Sequence, residues 1–319
     1  MKKILIFKSD KIGDILNISP VLKNIKLNFP HVEITIVCSS YNSPITKYYP
    51  QINRILIYKK PFFIFLLKNF KHLLITKYDL ILQLDGKNDS YLSSIFIRST
   101  KKVAIKFIKN KKKFGLNFIT SRPGFFVSLF FNFFSVSNEN YNHVNNKKFH
   151  YLTLYLSLLE MLNITVTSKK HFLPYKPDES LFHADYLHLH IDERWSSFDS
   201  VYCNNFKEKI KHLSLRNKIV ITSNLGGNNF FNNLMSNFLN FENISFKNNA
   251  SIDELINIIY YSHTVISSHT GFIVHVGASF EKKIIDIVHS NIHNELDRWI
   301  PFECNYTRFK PNEFLEKEI

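Results

Sequence analysis

Short apolar runs alternate with segments of helical spacing along the first half of the chain. Strands are predicted where β-branched and aliphatic residues cluster, at Ile4 to Phe7, Val32 to Val37, Arg54 to Tyr58 and Leu80 to Leu84. Apolar positions recur at helical spacing from Ile15 to Phe29 and from Tyr151 to Leu162. Strands separated by helices indicate a parallel sheet that is covered on both faces.

The second half repeats this alternation. Its predicted strands are Tyr186 to Ile191, Lys218 to Thr222, Thr264 to Ser267 and, as the final strand, Lys283 to Val288. Helical patterning covers Phe206 to Leu213 and Ile252 to Tyr260. Between the halves, Pro174 and Pro177 mark a segment that is typical of a linker.

With 319 residues, the chain exceeds the comfortable size of one hydrophobic core. We therefore predict an α/β protein with two βαβ-rich lobes whose parallel sheets face one another across a cleft. The predicted boundaries are residues 1–167 for the first lobe, 168–180 for the linker and 181–319 for the second lobe. Open parallel sheets bind ligands at the carboxyl ends of their strands, which is where the candidate chemistry is sought.

The charge balance changes the picture of possible partners. Lys and Arg number 41 against 26 Asp and Glu, which gives a net charge of +15. The resulting positive field attracts the phosphates of a nucleotide, a nucleic acid or an anionic membrane surface, and charge alone does not choose among them. Because no zinc finger, RNP aromatic pair or helix-turn-helix motif is recognisable, we expect no nucleic-acid partner.

Cysteine and histidine spacing argues against disulfides and metals. Cys38, Cys203 and Cys304 form no CxxC pair, and the 14 histidines form no HExxH or paired ligand spacing. We predict no metal and a cytoplasmic location. The first residues lack the apolar region of a signal peptide, and no apolar stretch approaches the roughly 20 residues of a membrane-spanning helix.

One segment suggests contact with a membrane surface. Seven lysines lie between Lys101 and Lys113, and an aromatic segment follows from Phe125 to Phe134. A solvated charged face is one interpretation of the lysine run. The alternative is that Lys101 to Phe134 binds an anionic membrane surface, which would make the protein peripheral on the inner face of the cytoplasmic membrane.

The first candidate site is the loop after the first predicted strand, from Lys8 to Asp14. A carboxylate at a strand-to-helix junction projects into the crevice, so Asp14 is a candidate general base for a hydroxyl group. Lys8 or Lys11 would keep that carboxylate ionised, and Gly13 would let the backbone turn tightly. The alternative is that Asp14 only caps the following helix.

The second candidate site combines two segments that could hold a diphosphate. Arg194 follows a predicted strand and supplies a cation, although an ion pair with Asp192 or Glu193 explains it equally well. The segment from Ser267 to His275 lies between a strand and an apolar helix, whose first N–H groups can bind phosphate. His275 itself is a candidate ligand or a core histidine.

The first half resembles a known family. The stretch KSDKIGDILNISPVLKNIKLNFPHVEITIV is similar to the opening of glycosyltransferase family 9, the ADP-heptose:lipopolysaccharide heptosyltransferases. The stretches KYDLILQLDG and HYLTLYLSLLEML resemble the family's later strand and closing helix. In that family the Asp of the Gly-Asp pair is regarded as the catalytic base, and Asp14 occupies its position.

The second half resembles the same family with departures. Arg194 before Trp195 matches the Lys or Arg that meets the donor phosphate, and HVGASFEKKIIDIV and Arg298 to Pro301 also match. The segment from Ser267 to His275 resembles the family's Asp-Thr-Gly-x-x-His signature. However, His269 replaces the Asp, one extra residue separates Gly271 from His275, and the loop from Ser223 to Asn228 lacks the usual acidic ribose ligand.

The resemblance implies the GT-B fold type, with two Rossmann-like lobes that face one another across a cleft. It also implies an inverting glycosyltransferase that moves a sugar, with heptose as the family's example, from a nucleotide-diphosphate donor to lipopolysaccharide or another cell-surface glycan or glycolipid. The nucleotide sugar, with ADP-heptose as the family's donor, is a co-substrate, and no further cofactor is expected. The implied donor-binding residues are Arg194, His269, Thr270, Gly271 and His275, and Lys8, Lys11 and Gly13 lie on the acceptor or phosphate side of Asp14. The alternatives are a non-catalytic relative with the same fold and, less favoured, a basic nucleic-acid-binding protein.

Overall fold

The computed structural model describes residues 1–113, 116–138, 150–177, 185–223, 229–289 and 295–318. The chain divides into two compact units. Unit 1 comprises Met1–Lys169 and Asp297–Trp299, and unit 2 comprises Lys170–Leu296 and Ile300–Ile319. The chain therefore passes from unit 2 back to unit 1 and ends in unit 2. Of the predicted linker, residues 170–177 belong to unit 2, and residues 178–180 lie outside the described residues.

Unit 1 is built on a mostly parallel sheet. Its strands over the described residues are β1 (Lys3–Phe7), β2 (Glu33–Cys38), β3 (Ile52–Ile57), β4 (Tyr78–Gln83), β5 (Ser99–Lys113), β6 (Leu116–Arg122) and β7 (Phe133–Asn138). Their order is β3-β2-β1-β4-β5-β6, and β7 pairs with β5. Only the pairing of β5 with β6 is antiparallel among these described strands. The four strands predicted for this half are confirmed as β1 to β4.

Helices cover both faces of this sheet. They are α1 (Ile12–Leu16), α2 (Ser19–Asn28), α3 (Ser43–Thr46), α4 (Phe62–Lys68), α5 (Asn88–Phe96), α6 (Phe125–Ser128) and α7 (Tyr151–Glu160). Right-handed crossovers place α4 and α5 on one face and α2 and α3 on the other. Accordingly, α5 packs against α4 and α6, while α7 packs against α2. The helix predicted from Tyr151 to Leu162 is confirmed as α7.

Unit 2 is built on a wholly parallel sheet over the described residues. Its strands are β8 (Tyr186–Ile191), β9 (Ile219–Ser223), β10 (Ile244–Lys247), β11 (Ser262–Ser267), β12 (Lys283–Ile287) and β13 (Tyr306–Phe309), in the order β10-β9-β8-β11-β12-β13. The four predicted strands are confirmed as β8, β9, β11 and β12. The prediction that Lys283 to Val288 is the final strand is wrong, because β13 follows β12 and pairs with it in parallel.

The helices of unit 2 have clear sequence causes. They are α8 (Ser200–Ser214), α9 (Asn229–Phe238), α10 (Ile252–Tyr261), α11 (Gly271–Ser279) and α12 (Pro311–Glu316). Asp199 caps the start of α8, and Ser251 with Glu254 forms a capping box at α10. The two helices predicted in this half are confirmed as parts of α8 and α10. One face of β8 joins a buried apolar cluster around Trp195, whereas its other face carries buried histidines.

The two parallel sheets are confirmed, and they share one topological feature. The strand order reverses between β1 and β4 in unit 1, and between β8 and β11 in unit 2. Helices leave these neighbouring strands toward opposite faces of the sheet, so a crevice opens beside their carboxyl ends. Each unit therefore has one defined place for a ligand.

None of the helices in the described part of the chain is both long enough and apolar enough to cross a bilayer.

Candidate functional site

The predicted site residues follow strands at these two switch points. The segment from Lys8 to Asp14 follows β1, Arg194 lies shortly after β8, and His269 to Gly271 follow β11. His275 lies inside α11. The structure thus groups the predictions into one cluster in unit 1 and one in unit 2.

Lys8 is a buried cation inside unit 1. Its Nζ atom donates to Asp10 Oδ2 at 2.8 Å, to the Tyr155 hydroxyl at 2.9 Å and to the Leu84 carbonyl at 3.3 Å. Burial disfavours the charged form, but the charges of Asp10, Tyr155 and Asp14 outweigh it and hold the pKa of Lys8 well above its usual value. Since an ammonium group has three N–H donors, these contacts use all of them.

This geometry gives Lys8 a different place from the acceptor or phosphate contact that the sequence suggested. Its side chain is only 2% exposed and connects the loop after β1 to helix α7 through Tyr155. Asn42 fixes the same loop from the other side, with its Nδ2 atom 3.1 Å from the Lys8 carbonyl oxygen. Lys8 therefore positions the loop rather than offering a proton donor to a ligand.

Asp85 is a buried acceptor that sequence analysis missed. It follows β4, and its Oδ2 atom accepts from the Ser9 amide at 3.0 Å, the Ser9 hydroxyl at 2.7 Å and the Ser90 hydroxyl at 3.1 Å. Its Oδ1 atom accepts from Gln83 Nε2 at 2.7 Å and from the Lys87 amide at 3.2 Å. Asp85 thus ties the loop after β1 to the loop after β4. The available signal was an acidic residue directly after a central strand.

Asp14 is a half-buried carboxylate in the first turn of α1. Its Oδ2 atom accepts from the Lys11 amide at 3.0 Å, so the capping interpretation is correct as far as this contact goes. Burial raises the pKa of Asp14, Lys8 lowers it, and Asp10 raises it further. The net direction is upward, which makes this carboxylate a stronger base than an ordinary exposed Asp.

Lys11 and Gly13 frame Asp14 on the surface side. Lys11 is exposed and precedes α1, and its backbone rather than its side chain contacts Asp14. Gly13 lies within α1, and its carbonyl accepts from the Asn17 amide at 3.3 Å. Helical backbone does not require glycine, so the tight turn predicted at Gly13 is wrong. What Gly13 does provide is a helix position without a side chain next to Asp14.

Asp192 organises the cluster in unit 2. It is 1% exposed and caps a 3-10 turn at Glu193–Ser197, where its Oδ1 atom accepts from the Arg194 amide at 3.0 Å. Its Oδ2 atom accepts from the Arg194 guanidinium and from the Thr270 hydroxyl, the latter at 2.5 Å. Burial raises the pKa of Asp192, while Arg194 and Thr270 oppose the rise. Asp192 therefore links the loops after β8 and β11.

The guanidinium group of Arg194 is held by an ion pair and is also accessible to solvent. The ion pair with Asp192 that sequence analysis considered is present. Nevertheless, 41% of the Arg194 side chain remains exposed. A guanidinium group has five N–H donors in a rigid fork, so one arm can hold Asp192 while others reach a ligand.

His269 is held by a carboxylate from the next strand. Its Nδ1 atom lies 2.6 Å from Oδ2 of Asp286, and the same carboxylate accepts from the His269 amide through Oδ1. The Tyr306 hydroxyl also donates to Asp286, at 2.6 Å. Because the carboxylate accepts at Nδ1, that nitrogen carries a proton, and Nε2 is left as the outer polar atom of the ring. His269 has φ = 50°, an uncommon conformation for a residue with a side chain.

Thr270 and Gly271 form the start of α11. Thr270 is the residue before the helix, and its side chain bonds to Asp192 rather than to the helix amides. A Cβ atom added at Gly271 would meet nothing within 4 Å, so the space beside this helix start is open. Amides in the first turn of a helix carry partial positive charge and attract anions. The arrangement can receive a phosphate oxygen.

His275 occupies a different environment from the residues around Asp192. It is 3% exposed and stacks on His171, with ring centroids 4.9 Å apart and an interplanar angle of 14°. The core interpretation of His275 thus describes its position, and we leave it out of the ligand-binding cluster.

No group of three or more His, Cys, Asp or Glu side chains that could hold a metal ion occurs among the described residues. The predicted donor loop from Ser223 to Asn228 lies outside the described residues from position 224 onward.

Comparisons with known proteins place the fold. No family model matches the sequence, and no curated protein matches it. Solved structures do match. A glycosyl transferase family 9 protein from Veillonella parvula has a TM-score of 0.71 and 16% identity, covering 97% of this chain and 86% of its own. The ADP-heptose lipopolysaccharide heptosyltransferase II of E. coli has a TM-score of 0.68 and 12% identity, covering 99% and 97%.

A protein with another activity shares the architecture. The UDP-GlcNAc 2-epimerase from Neisseria meningitidis, solved with UDP-GlcNAc, has a TM-score of 0.50 and 11% identity, covering 99% of this chain and 90% of its own. The chain therefore has the fold of the GT-B class, with two Rossmann-like units, and resembles solved family 9 proteins in fold. At these identities the likeness defines the architecture, and the activity must be argued from the side chains.

Proposed function

We propose that this protein is an inverting glycosyltransferase that uses a nucleotide-diphosphate sugar. The observation that carries the proposal is Asp14, a half-buried carboxylate of raised pKa beside the switch point of unit 1. A general base works best when its pKa is raised toward the working pH and its carboxylate is held by defined partners. The similarity in fold to solved family 9 structures supports the same assignment.

In the proposed reaction Asp14 takes the proton of an acceptor hydroxyl. The acceptor oxygen forms a bond to the anomeric carbon as the bond from that carbon to the diphosphate oxygen breaks. The nucleoside diphosphate leaves with the electron pair of the broken bond. A single displacement inverts the configuration at the anomeric carbon. Lys8 supports this role by fixing the loop and by lowering the pKa of Asp14 relative to burial alone.

Unit 2 supplies groups that suit the departing diphosphate. Negative charge increases on the phosphate oxygens as the bond breaks, and donors fixed beforehand stabilise that charge most effectively. The exposed part of Arg194 and the first amides of α11 are such donors. Nε2 of His269 carries no proton in the neutral ring, because Nδ1 does, and it is instead an acceptor that suits a sugar hydroxyl. Asp192 fixes Arg194 and Thr270 together, so that their positions do not depend on the ligand.

We further propose ADP-heptose as the first donor to test and a lipopolysaccharide or another cell-surface glycan as the acceptor. The support is the E. coli protein of similar fold, which is described as an ADP-heptose lipopolysaccharide heptosyltransferase. The sugar identity depends on His269, because an imidazole cannot make the carboxylate contacts that an Asp makes with sugar hydroxyls.

A second candidate is a protein that binds nucleotide sugars without transferring them. His269 favours this candidate, because it stands at the position of the usual Asp and is bound to Asp286. The epimerase of similar fold illustrates that the same architecture serves reactions without a glycosyl acceptor.

The test is release of nucleoside diphosphate from a panel of nucleotide sugars, with and without lipopolysaccharide or glycan acceptors. Transfer requires release that depends on the acceptor, and a product whose anomeric configuration is opposite to that of the donor. Donors for the panel are chosen by thermal shift, since a ligand that binds only the folded state raises its stability.

Each result separates the candidates. Stabilisation by a nucleotide sugar without acceptor-dependent release would support the non-catalytic candidate. If no nucleotide sugar stabilises the protein and no acceptor-dependent release occurs, salt-sensitive retention on DNA would support nucleic-acid binding instead.

A further inference from the structure

Helix α4 packs on the core of unit 1 with one side and exposes apolar side chains on the other. Phe65 and Leu66 are buried in the core of unit 1. In contrast, Phe63 is 53% exposed and Leu67 64% exposed, and Phe70 just beyond the helix is also exposed. Large apolar residues therefore occupy both the buried side and the exposed side of this short helix.

Helix α6 shows the same pattern. Val127 and Phe131 pack inward against Tyr91 of α5. Phe125 and Phe126 point away from that cluster and are 70% and 79% exposed. Few soluble proteins leave adjacent aromatic residues this accessible without a partner for them.

These exposed residues belong to one surface of unit 1. Helices α4 and α5 lie on the same face of the sheet, where Phe62 stacks on Phe96 with ring centroids 6.1 Å apart. Helix α6 continues the row through its contacts with α5. We call this surface the aromatic face, and its exposed members are Phe63, Ile64, Leu67, Phe70, Phe96, Phe125, Phe126, Leu129 and Phe130.

The segments that carry the aromatic face are strongly cationic. From Tyr41 to Asn138 the sequence contains 17 Lys and Arg residues, and its acidic residues are Asp79, Asp85 and Asp89. Exposed cations flank all three helices, namely Lys60, Lys68, Lys71, Lys87, Arg98 and Arg122.

The three acidic residues in this stretch are too few to balance its cations. Asp79 accepts from the Lys2 and Lys3 amides at the start of the sheet. Asp85 is buried, and Asp89 accepts from the Tyr58 hydroxyl at 3.0 Å. From Tyr41 to Asn138 the cations therefore outnumber the carboxylates by 17 to 3.

We propose that the aromatic face docks on the surface of an anionic lipid bilayer. Aromatic and aliphatic side chains enter the boundary between headgroups and acyl chains, while the flanking Lys and Arg contact anionic headgroups. A second copy of the chain fits this surface less well, because the cations that flank the two aromatic faces would then repel each other. The proposed mode of binding is contact with the bilayer surface, and no helix among residues 1–113, 116–138, 150–177, 185–223, 229–289 and 295–318 is long and apolar enough to span a bilayer.

The structure thereby revises the predicted membrane segment. The aromatic part of Lys101 to Phe134 contributes α6, but α4 and the end of α5 contribute as much exposed apolar surface. Docking does not depend on the transfer reaction, and the two proposals can fail separately.

The experiment is sedimentation of the full chain with vesicles of equal parts phosphatidylcholine and phosphatidylglycerol, compared with phosphatidylcholine alone. We expect binding only to the anionic vesicles. The double variant Phe125→Ser with Phe126→Ser should bind about tenfold or more weakly, because two large apolar groups no longer enter the bilayer. The matched control replaces two equally exposed leucines of unit 2, Leu215→Ser with Leu239→Ser, and should bind like the unchanged protein.

A double charge-reversal variant tests the cations that flank the aromatic face. Lys68→Glu with Lys71→Glu should weaken vesicle binding about tenfold or more, whereas Arg216→Glu with Lys218→Glu on unit 2 should have less effect. Equal binding by all variants, or no binding by the unchanged protein, would overturn the proposal. So would a dimer in solution that Phe125→Ser with Phe126→Ser converts to monomer, since the face would then be an interface between copies.

Nucleoside diphosphate release with a lipid-free acceptor distinguishes the two proposals. It should be unchanged in the Phe125→Ser with Phe126→Ser variant. A protein that fails to bind vesicles but releases nucleoside diphosphate normally would leave the transfer proposal intact. A protein that binds anionic vesicles but shows no acceptor-dependent release would leave the docking proposal intact.

Discussion

His269 and Asp286 make a two-point contact in which one carboxylate accepts from both the backbone amide and the ring Nδ1 of the same histidine. This contact fixes the ring orientation and the tautomer, and it directs Nε2 outward. A histidine held in this way is suited to accept a hydrogen bond from a ligand hydroxyl at a constant position.

We therefore expect His269→Ala to weaken binding of the nucleotide sugar about two- to tenfold, which is the range for a lost hydrogen bond between neutral groups. Asp286→Asn should produce a smaller loss in the same direction, because the ring remains but is less firmly held. Isothermal titration with the best donor measures both. His212→Ala, at an exposed position of α8, is the control and should bind normally. Unchanged affinity in His269→Ala would remove this residue from the proposed donor site.

Asp14 is predicted to act on the rate and not on donor binding. Asp14→Asn should lower acceptor-dependent nucleoside diphosphate release by about a hundredfold or more, because the side chain keeps its shape but cannot take a proton. Donor affinity should change little, since the donor groups belong to unit 2. Asp253→Asn, an exposed carboxylate in unit 2, is the matched control. Normal release by Asp14→Asn would exclude the proposed base.

The pH dependence of the rate should report the environment of Asp14. The rate needs the ionised carboxylate, so it falls as the pH drops through the Asp14 pKa, which burial raises above its usual value. Lys8→Met removes a charge that lowers this pKa, and the acid limb of kcat/KM should move to higher pH. Asp10→Asn removes a charge that raises it, and the limb should move to lower pH. Shifts in the same direction for both variants would contradict this assignment.

Asp85 should matter for stability more than its single charge suggests. Asp85→Ala leaves five donor contacts without their acceptor in the interior, and we expect a loss of about 3 kcal/mol or more in the free energy of unfolding. Asp85→Asn keeps part of the acceptor capacity and should lose less. Urea unfolding followed by fluorescence measures both. Equal stability of all three proteins would show that these contacts contribute little.

Buried histidines should make unit 2 sensitive to acid. Burial lowers the pKa of His190 from 6.5 to about 3, and it also lowers the pKa of the neighbouring His188. The folded state then binds fewer protons than the unfolded state, so stability is complete above about pH 6.5 and declines as the pH falls. Each such group contributes up to about 1.4 kcal/mol per pH unit.

The measurement is chemical unfolding at several pH values between neutrality and about pH 4. His190→Gln should reduce the decline, because the group that must stay neutral is gone. Comparison with the unchanged protein cancels the contributions of the carboxylates, including Asp192, whose raised pKa acts in the opposite direction. An identical decline in both proteins would assign the acid sensitivity elsewhere.

The sequence predicted the central strands well, for a physical reason. Strands such as Ile4 to Phe7 and Tyr186 to Ile191 are covered on both faces, so they are apolar at nearly every position or flanked by clear loops. The lysine-rich interior strand β5 and the edge strand β13 lack that signal, although the edge strand β3 was predicted. Tyr306–Phe309 pairs with a neighbour on one side and is half-exposed at every residue, and its pattern does not stand out from a loop.

The candidate site was predictable only where a residue follows its own strand. Asp14, Arg194 and Thr270 lie in segments that follow predicted strands, and their position together with the resemblance to glycosyltransferase family 9 singled them out. Asp85 and Asp286 support residues that are 76 and 17 positions away. Such contacts form only between strands that are neighbours in the sheet. The strand order cannot be predicted from the local spacing of apolar residues, so these contacts could not be predicted either.

The return of Asp297–Trp299 to unit 1 affects how the chain can be dissected. The indole of Trp299 stacks on the ring of Tyr151, with centroids 3.9 Å apart, although the two residues are 148 positions apart in the sequence. A cut after Lys169 would leave the amino-terminal piece without this indole and with a tyrosine ring newly open to water. Asp297–Trp299 is therefore a structural component of a unit whose other residues all precede Lys170, and that unit is complete only after most of unit 2 has been synthesised.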